Sequence, residues 1–133
     1  MESLLYLFLE VLETKKLPPI KTQVILSKLP IGVMQGRLLP KYKGQYQAHP
    51  KGYWQDEFVL ASEFGLSEIE FIIDYEDWAE NPLISDLRAI EELQDRTGVL
   101  VRSVCADCFM EAPLQRDQES KLLMEVLLKN ASS

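Results

Sequence analysis

One stretch in the middle of the chain decides the fold, and it reads Ile69-Glu70-Phe71-Ile72-Ile73-Asp74-Tyr75. Successive side chains of a β-strand point to opposite faces, so the odd-numbered positions from 69 to 73 form a wholly apolar face. The other face carries two carboxylates, Glu70 and Asp74. An apolar face suits a covering layer of helices. We therefore expect helices on one side of this strand and a polar, inward-facing surface on the other.

Strand-like and helix-like periods alternate on both sides of this stretch. We predict parallel strands near residues 31 to 35, 69 to 74 and 99 to 105, with helices between them and after the third. Trp54, Phe58 and Ala61 recur at helical spacing, and Gly65 lies where a left-handed C-terminal cap would end that helix. The sequence therefore predicts an α/β fold.

The helices around the third strand carry their own start and stop signals. The second helix has two favourable N-terminal signals, Asn81 followed by Pro82 and Ser85 followed by Asp86, and Gly98 closes it. Arg102 lies on the third strand, where it could pair with Glu70. The buried stripe of the second helix comprises Leu87, Ile90 and Leu93, and the final helix carries Leu122, Leu123, Val126 and Leu127.

Residues 1–30 stand outside the alternating pattern, so we divide the chain into an N-terminal extension, 1–30, and a domain, 31–133. Leu5, Phe8, Leu9 and Leu12 lie on one face of a predicted helix, and Pro18-Pro19 stops it. The apolar run is far shorter than the ~20 residues that span a bilayer. We therefore expect this segment to pack on the domain and the protein to be cytoplasmic.

Composition limits the partners. The chain of 133 residues has a net charge of −7 and a single His, whereas nucleic-acid binding draws on clustered Lys and Arg. We expect neither nucleic acid nor a membrane as a partner. The two Cys residues form one Cys-x-x-Cys spacing, Cys105 and Cys108. In a regular strand these positions face opposite sides, and no helix is expected directly after them, so ordinary packing is favoured over redox or zinc chemistry.

Three segments carry a resemblance to a known family: Ile31–Pro40 with its Gln-Gly-Arg, Ile69–Tyr75, and Ser103–Met110. Together they resemble the N-terminal part of the xylose-isomerase-like TIM barrels, which include sugar-phosphate isomerases and epimerases and the endonuclease IV type of DNA-repair enzyme. A complete barrel usually needs roughly 250 residues. The resemblance therefore implies a partial TIM barrel of about three βα units with an extra N-terminal helical segment.

The resemblance also implies a site. Members of this family typically hold a divalent metal with Glu, Asp and His from later strands, so we expect a metal in a complete member but neither metal nor other cofactor in this chain. Catalytic residues stay unassigned. The substrate would be a sugar phosphate. The positions that resemble the family's substrate-side loops and strand ends, and that we predict to bind substrate, are Gln35, Arg37, Glu70, Asp74 and Asp107.

Each of these residues has an ordinary structural alternative. Arg37 could form a surface ion pair, and Glu70 could form a structural ion pair with Arg102. His49, in the loop after the first strand, is a poor basis for a metal site because such a site needs several convergent ligands.

Two functions stay open. The chain is either a truncated or split sugar-phosphate isomerase or epimerase that is inactive alone, or a noncatalytic half-barrel that self-associates or binds a small molecule. Three parallel strands leave unpaired backbone groups at the sheet edges. We expect those edges to be covered by a second copy, by residues 1–30, or by a missing C-terminal half.

Overall fold

Within residues 29–131 the sheet has three strands, all parallel. The computed structural model describes residues 29–131, so the helix predicted near the N-terminus and its Pro18-Pro19 stop lie outside the described residues. The strands lie side by side in chain order: β1 (Gly32–Met34), β2 (Glu68–Ile72) and β3 (Leu100–Cys105). Val33 pairs with Ile69, and Ile69 pairs with Val101. The three predicted strands and their parallel arrangement are confirmed.

Helices separate the strands and follow the last one. Within the described residues there are five α-helices and a short 3₁₀ turn, Trp78–Glu80. The helices are α1 (Gln55–Glu63), α2 (Pro82–Ser85), α3 (Leu87–Thr97), α4 (Cys108–Glu111) and α5 (Gln118–Asn130). The structure is therefore a mixed α/β fold.

Of the two predicted start signals before α3, the first is used as predicted, and the second cap lies one residue further along the chain. The Asn81 side chain accepts a hydrogen bond from the backbone N–H of Leu83 and caps α2, which begins with Pro82. The Asp86 carboxylate accepts from the N–H of Ala89 and caps α3. The second cap is therefore Asp86, and Ser85 is instead the last residue of α2. Gly98 ends α3 in the left-handed region, with φ of 73°.

The main core lies between the sheet and helices α1 and α3. Phe58 of α1 and Ile90 of α3 belong to the same buried cluster as Ile69 and Phe71, both of which are fully buried. Since residues of both helices pack on the same face of β2, the helices cover one side of the sheet. The predicted apolar face of this strand is confirmed.

A smaller cluster joins the end of β2 to the last helix. Ile73, Cys108 and Leu123 are all fully buried there. Leu123 is the inward residue of α5, whereas Leu122, which the sequence placed in the same stripe, is 53% exposed. No helix in residues 29–131 is both long and apolar enough to cross a membrane.

Candidate functional site

A single loop crosses the carboxyl ends of all three strands. It connects β1 to α1, and its residues contact the chain just after each strand. The backbone N–H of His49 donates to Asp74 Oδ2 (2.8 Å), and Gln47 Nε2 donates to Asp107 Oδ1 (3.2 Å). His49 Nδ1 lies 3.1 Å from Gln35 Oε1. The loop thus brings together three of the five predicted substrate-binding residues, at the sheet edge where parallel α/β proteins bind ligands.

Gln35 joins β1 to β2 from a fully buried position. Its backbone N–H donates to the carbonyl of Glu70 (2.9 Å), and its side-chain Oε1 accepts from the N–H of Ile72 (3.1 Å). The other side-chain atom, Nε2, has no hydrogen-bond partner among the described residues. A buried amide with unused donors is costly, by about 1–3 kcal/mol. Gln35 therefore keeps an unused donor that is shielded from solvent.

His49 is buried between aromatic rings and uncharged at neutral pH. Its ring centroid lies 5.5 Å from that of Phe71 and 6.3 Å from that of Trp54. Burial, with a smaller contribution from the Lys51 charge, lowers the pKa of His49 to about 4. The sequence offered only its position in the loop after β1, and a solitary His was set aside as a ligand. The structure places it at the centre of the strand-end contacts.

Asp74 is half-buried and surrounded by acidic groups. Desolvation by burial raises the pKa of this carboxyl, and the charges of Asp107 and Glu111 raise it further, while the hydrogen bond from the His49 N–H acts in the opposite direction. Asp74 and Asp107 are thus close enough to interact electrostatically.

A small cavity opens beside these residues. Its volume is ≈70 Å³, and it lies between the loop after β1 and the loop after β2. Ion pairs span the two loops: Lys43 with Glu76 (2.7 Å), and Lys51 with both Asp77 (3.1 Å) and Glu80 (2.5 Å). The partners are exposed, so each pair stabilises only weakly. The ionisable lining residues are Tyr42, Lys43, His49, Lys51, Asp74, Glu76, Asp77 and Glu80.

Arg37 lies apart from this group. It is exposed, its Cζ is 5.6 Å from the ring centroid of Tyr46, and Lys41 Nζ is 3.5 Å from the same centroid. No carboxylate of residues 29–131 forms a salt bridge with Arg37, so the surface ion pair weighed from the sequence is not formed within this part of the chain. Arg37 and Lys41, both in the first part of the loop after β1, together make a cationic edge.

The ion pair proposed between Arg102 and Glu70 is wrong. Arg102 Nε lies 3.1 Å from Glu68 Oε1 instead. The cause is a bulge, because Ile69 pairs with Val101 but Glu70 pairs with Ser103, so that Arg102 is the extra residue. Glu70 is half-buried, and its contribution to the strand-end contacts is its carbonyl, which accepts from Gln35.

Glu57 is a residue that the sequence reasoning missed. It lies on α1, is fully buried, and its carboxylate accepts from the N–H groups of Gly36 (2.7 Å) and Leu38 (3.0 Å). It therefore holds the turn that follows Gln35. The available signal was its spacing, since Glu57 lies three residues after Trp54 and four before Ala61, on the buried face of the helix.

The two cysteines are packing residues. A helix, α4, does begin at Cys108, contrary to the sequence expectation. Burial nevertheless raises the pKa of Cys108 to about 11, and burial with nearby carboxylates raises the pKa of Cys105. Both thiols are therefore protonated near neutral pH and poor nucleophiles. Within the described residues no group of three or more His, Cys, Asp or Glu side chains is placed to hold a metal ion.

We find no protein-family model, curated protein or solved structure that matches this chain.

Proposed function

We propose that this chain supplies the substrate-binding part of a barrel enzyme of the sugar-phosphate isomerase or epimerase type, and that it is inactive alone. In this proposal β1, β2 and β3 are the first three strands of a TIM barrel. Sequential parallel strands with helices on one face are compatible with that architecture. The resemblance of the Gln35–Arg37 segment and the two later strand ends to this family supplies the reaction class.

One observation carries the proposal: the loop after β1 ties residues at the carboxyl ends of three parallel strands to one another. Two residues of this loop, Gln47 and His49, lie within hydrogen-bond distance of Gln35, Asp74 and Asp107. Amide and carboxylate groups together can accept from and donate to the hydroxyls of a sugar. The cationic edge of Arg37 and Lys41 is suited to its phosphate.

The described residues do not fit a divalent metal. Asp74 Oδ2 already accepts from the His49 N–H and Asp107 Oδ1 accepts from Gln47, and no three His, Cys, Asp or Glu side chains of residues 29–131 converge as metal ligands. We therefore assign no step to a metal on this chain. The proposed contribution of these residues is to bind and orient the substrate.

Titration of ¹⁵N-labelled protein with pentose and hexose phosphates tests this function. We expect saturable shifts of the backbone N–H signals of Gly36, His49 and Asp107. Asp107→Asn should weaken binding about tenfold, the effect of losing one hydrogen bond to a charged acceptor. Glu92→Gln, which removes an exposed carboxylate on α3, serves as the matched control. The absence of saturable shifts at the strand ends up to about 10 mM ligand, a limit of roughly 3 kcal/mol in binding free energy, would contradict the proposal.

A groove beside β3, the outer strand of the sheet in residues 29–131, favours the second candidate, a noncatalytic module that self-associates. The groove has a volume of ≈580 Å³ and is lined by apolar residues of β3, α3 and α5, including Val101, Val104 and Leu127. Val104 is 40% exposed there. Sedimentation of the full chain and of a version beginning at Lys28 tests it. A dimer in both samples supports self-association, whereas a folded monomer in both at micromolar concentration contradicts it and the edge-protection argument.

A further inference from the structure

We propose that His49 Nε2 is the hydrogen-bond acceptor for a hydroxyl group in the ≈70 Å³ cavity, so that this cavity takes the uncharged polyol portion of a ligand and excludes its phosphate. The inference rests on the proposed function, because it divides the same site into two parts. It adds a residue and a ligand orientation that the family resemblance does not supply.

His49 carries its ring proton on Nδ1. Gln35 Oε1 accepts from the N–H of Ile72, so that atom is the carbonyl oxygen of the amide and has only lone pairs to offer. The 3.1 Å contact between this oxygen and His49 Nδ1 therefore requires a proton on Nδ1. The imidazole is neutral near pH 7, since its pKa is about 4. Nε2 thus carries a lone pair and no proton.

The Nε2 lone pair lies on the part of the ring that is turned away from Gln35. The Nδ1 edge of the ring faces Gln35, which is fully buried and does not line the cavity. His49 does line it, although the residue as a whole is only 8% exposed. Among residues 29–131, no donor forms a hydrogen bond with Nε2. Nε2 is also not among the buried side-chain atoms that lack a partner in this part of the chain, so it is an accessible acceptor, and we assign it to a group inside the cavity.

The residues that line the cavity carry an excess of negative charge. Two lysines, Lys43 and Lys51, face four carboxylates around the cavity, and both lysines are already paired with carboxylates of the neighbouring loop. A phosphate would meet a surplus of negative charge, whereas a hydroxyl can donate to Nε2 at no electrostatic cost. Anions are instead favoured at Arg37 and Lys41, which have no carboxylate partner within the described part of the chain.

The cavity is small compared with a sugar phosphate. The ≈70 Å³ of the cavity is a few times the roughly 10–15 Å³ that one water needs, so the cavity holds only a few water-sized groups. That is enough for one end of a polyol but not for a whole sugar phosphate. The ligand would therefore insert its hydroxyl end and leave its phosphate outside, toward Arg37.

The test uses two variants of His49 that divide the functions of the ring. The Asn amide nitrogen can replace Nδ1 as donor to Gln35 but leaves no acceptor at Nε2, so His49→Asn should keep the fold and weaken polyol binding. His49→Gln places an amide oxygen near the position of Nε2 and should restore it. The probes are xylitol as the neutral polyol, a pentose phosphate, and inorganic phosphate alone.

For the unchanged protein, we expect xylitol to shift the ¹⁵N signal of His49 Nε2, with that nitrogen unprotonated and Nδ1 protonated before ligand is added. His49→Asn should weaken xylitol binding about tenfold, while His49→Gln should stay within about threefold. Inorganic phosphate should leave the Nε2 signal of the unchanged protein unmoved. Arg37→Gln should weaken the pentose phosphate but not xylitol.

The outcomes separate the two proposals. A proton on Nε2 in the free protein, or unchanged xylitol binding in His49→Asn, overturns the role of His49 even if the pentose phosphate binds at the strand ends. If xylitol shifts Nε2 but the pentose phosphate binds no better than xylitol, the role of His49 is supported and the sugar-phosphate function fails. Movement of Nε2 by inorganic phosphate alone would overturn the division into polyol and phosphate parts.

Discussion

The buried carboxylate of Glu57 should be among the most sensitive single groups in this protein. It accepts from the N–H groups of Gly36 (2.7 Å) and Leu38 (3.0 Å) and is inaccessible to solvent. Glu57→Gln has nearly the same size, so it tests the hydrogen bonds without creating a cavity. The new amide can accept from one N–H through its oxygen, but its NH₂ group must face the other donor.

The expected cost follows from those two contacts. One charge-assisted hydrogen bond becomes an ordinary one, and one buried N–H loses its acceptor, for which measured penalties are about 1–3 kcal/mol. Part of this loss is offset because a neutral amide is easier to bury than a carboxylate. We expect a net loss of about 2 kcal/mol in the free energy of unfolding, or a Tm lower by roughly 10 °C for a domain of this size.

Urea unfolding followed by tryptophan fluorescence, to which the buried Trp54 and the partly buried Trp78 both contribute, and by circular dichroism measures this loss. Glu63→Gln is the matched control, since it makes the same chemical change on an exposed position of the same helix and should alter stability by no more than about 0.5 kcal/mol. Equal stabilities of the two variants, within that margin and with unchanged denaturant dependence, would refute the structural role of Glu57.

Three other predictions follow from the strand-end residues. The folded-state pKa of His49, about 4, lies below the ordinary 6.5. The stability that His49 contributes is therefore complete above pH 6.5 and is lost as the pH falls toward 4, and its full value is about 3 kcal/mol. In urea titrations, the free energy of unfolding of His49→Asn should depend less steeply on pH over this range. Asp74, whose pKa is raised, acts in the opposite direction in both proteins. Gly36→Ala should lower the stability by at least about 2 kcal/mol in thermal unfolding, because φ is +82° and the added Cβ would lie 3.0 Å from the Ala48 carbonyl oxygen. Gly44→Ala is the control, since φ is +77° but no atom lies within 4 Å. It should lose only the stability that the left-handed backbone conformation costs an alanine. Purified chain should not turn over any sugar phosphate, and turnover abolished by chelator and restored by a divalent ion would contradict the proposed division of the barrel.

The order of strands and helices could be predicted from sequence because it depends on local periods. The apolar positions of 69–73 and the helical spacing of Trp54, Phe58 and Ala61 each carry their own signal, and Gly65 and Gly98 mark the helix ends. These features need no knowledge of what lies across the sheet. The predicted parallel sheet is accordingly the best-supported part of the sequence interpretation.

The site could be predicted only in part because its contacts depend on the path of a loop. Gln35, Asp74 and Asp107 could be selected since residues after parallel strands share one edge of the sheet. The central position of His49 could not, as nothing in its neighbours specifies that the loop returns over the strands. The partner of Arg102 was mistaken for a related reason: a one-residue bulge changes which side chains face each other, and no local pattern announces it.

The loop over the strand ends also has a consequence for the order of folding. Its hydrogen bonds join residues far apart in the chain, 25 positions for His49 to Asp74 and 60 for Gln47 to Asp107. Each such contact requires a long stretch of chain to close into a loop, which costs conformational entropy before the hydrogen bond can form. The turns of α1 and α3, by contrast, form between near neighbours. A collapsed intermediate with both helices formed would therefore still lack the site. In hydrogen exchange, the N–H of His49 should become protected only after all three strands have paired, which makes it a late reporter of native structure.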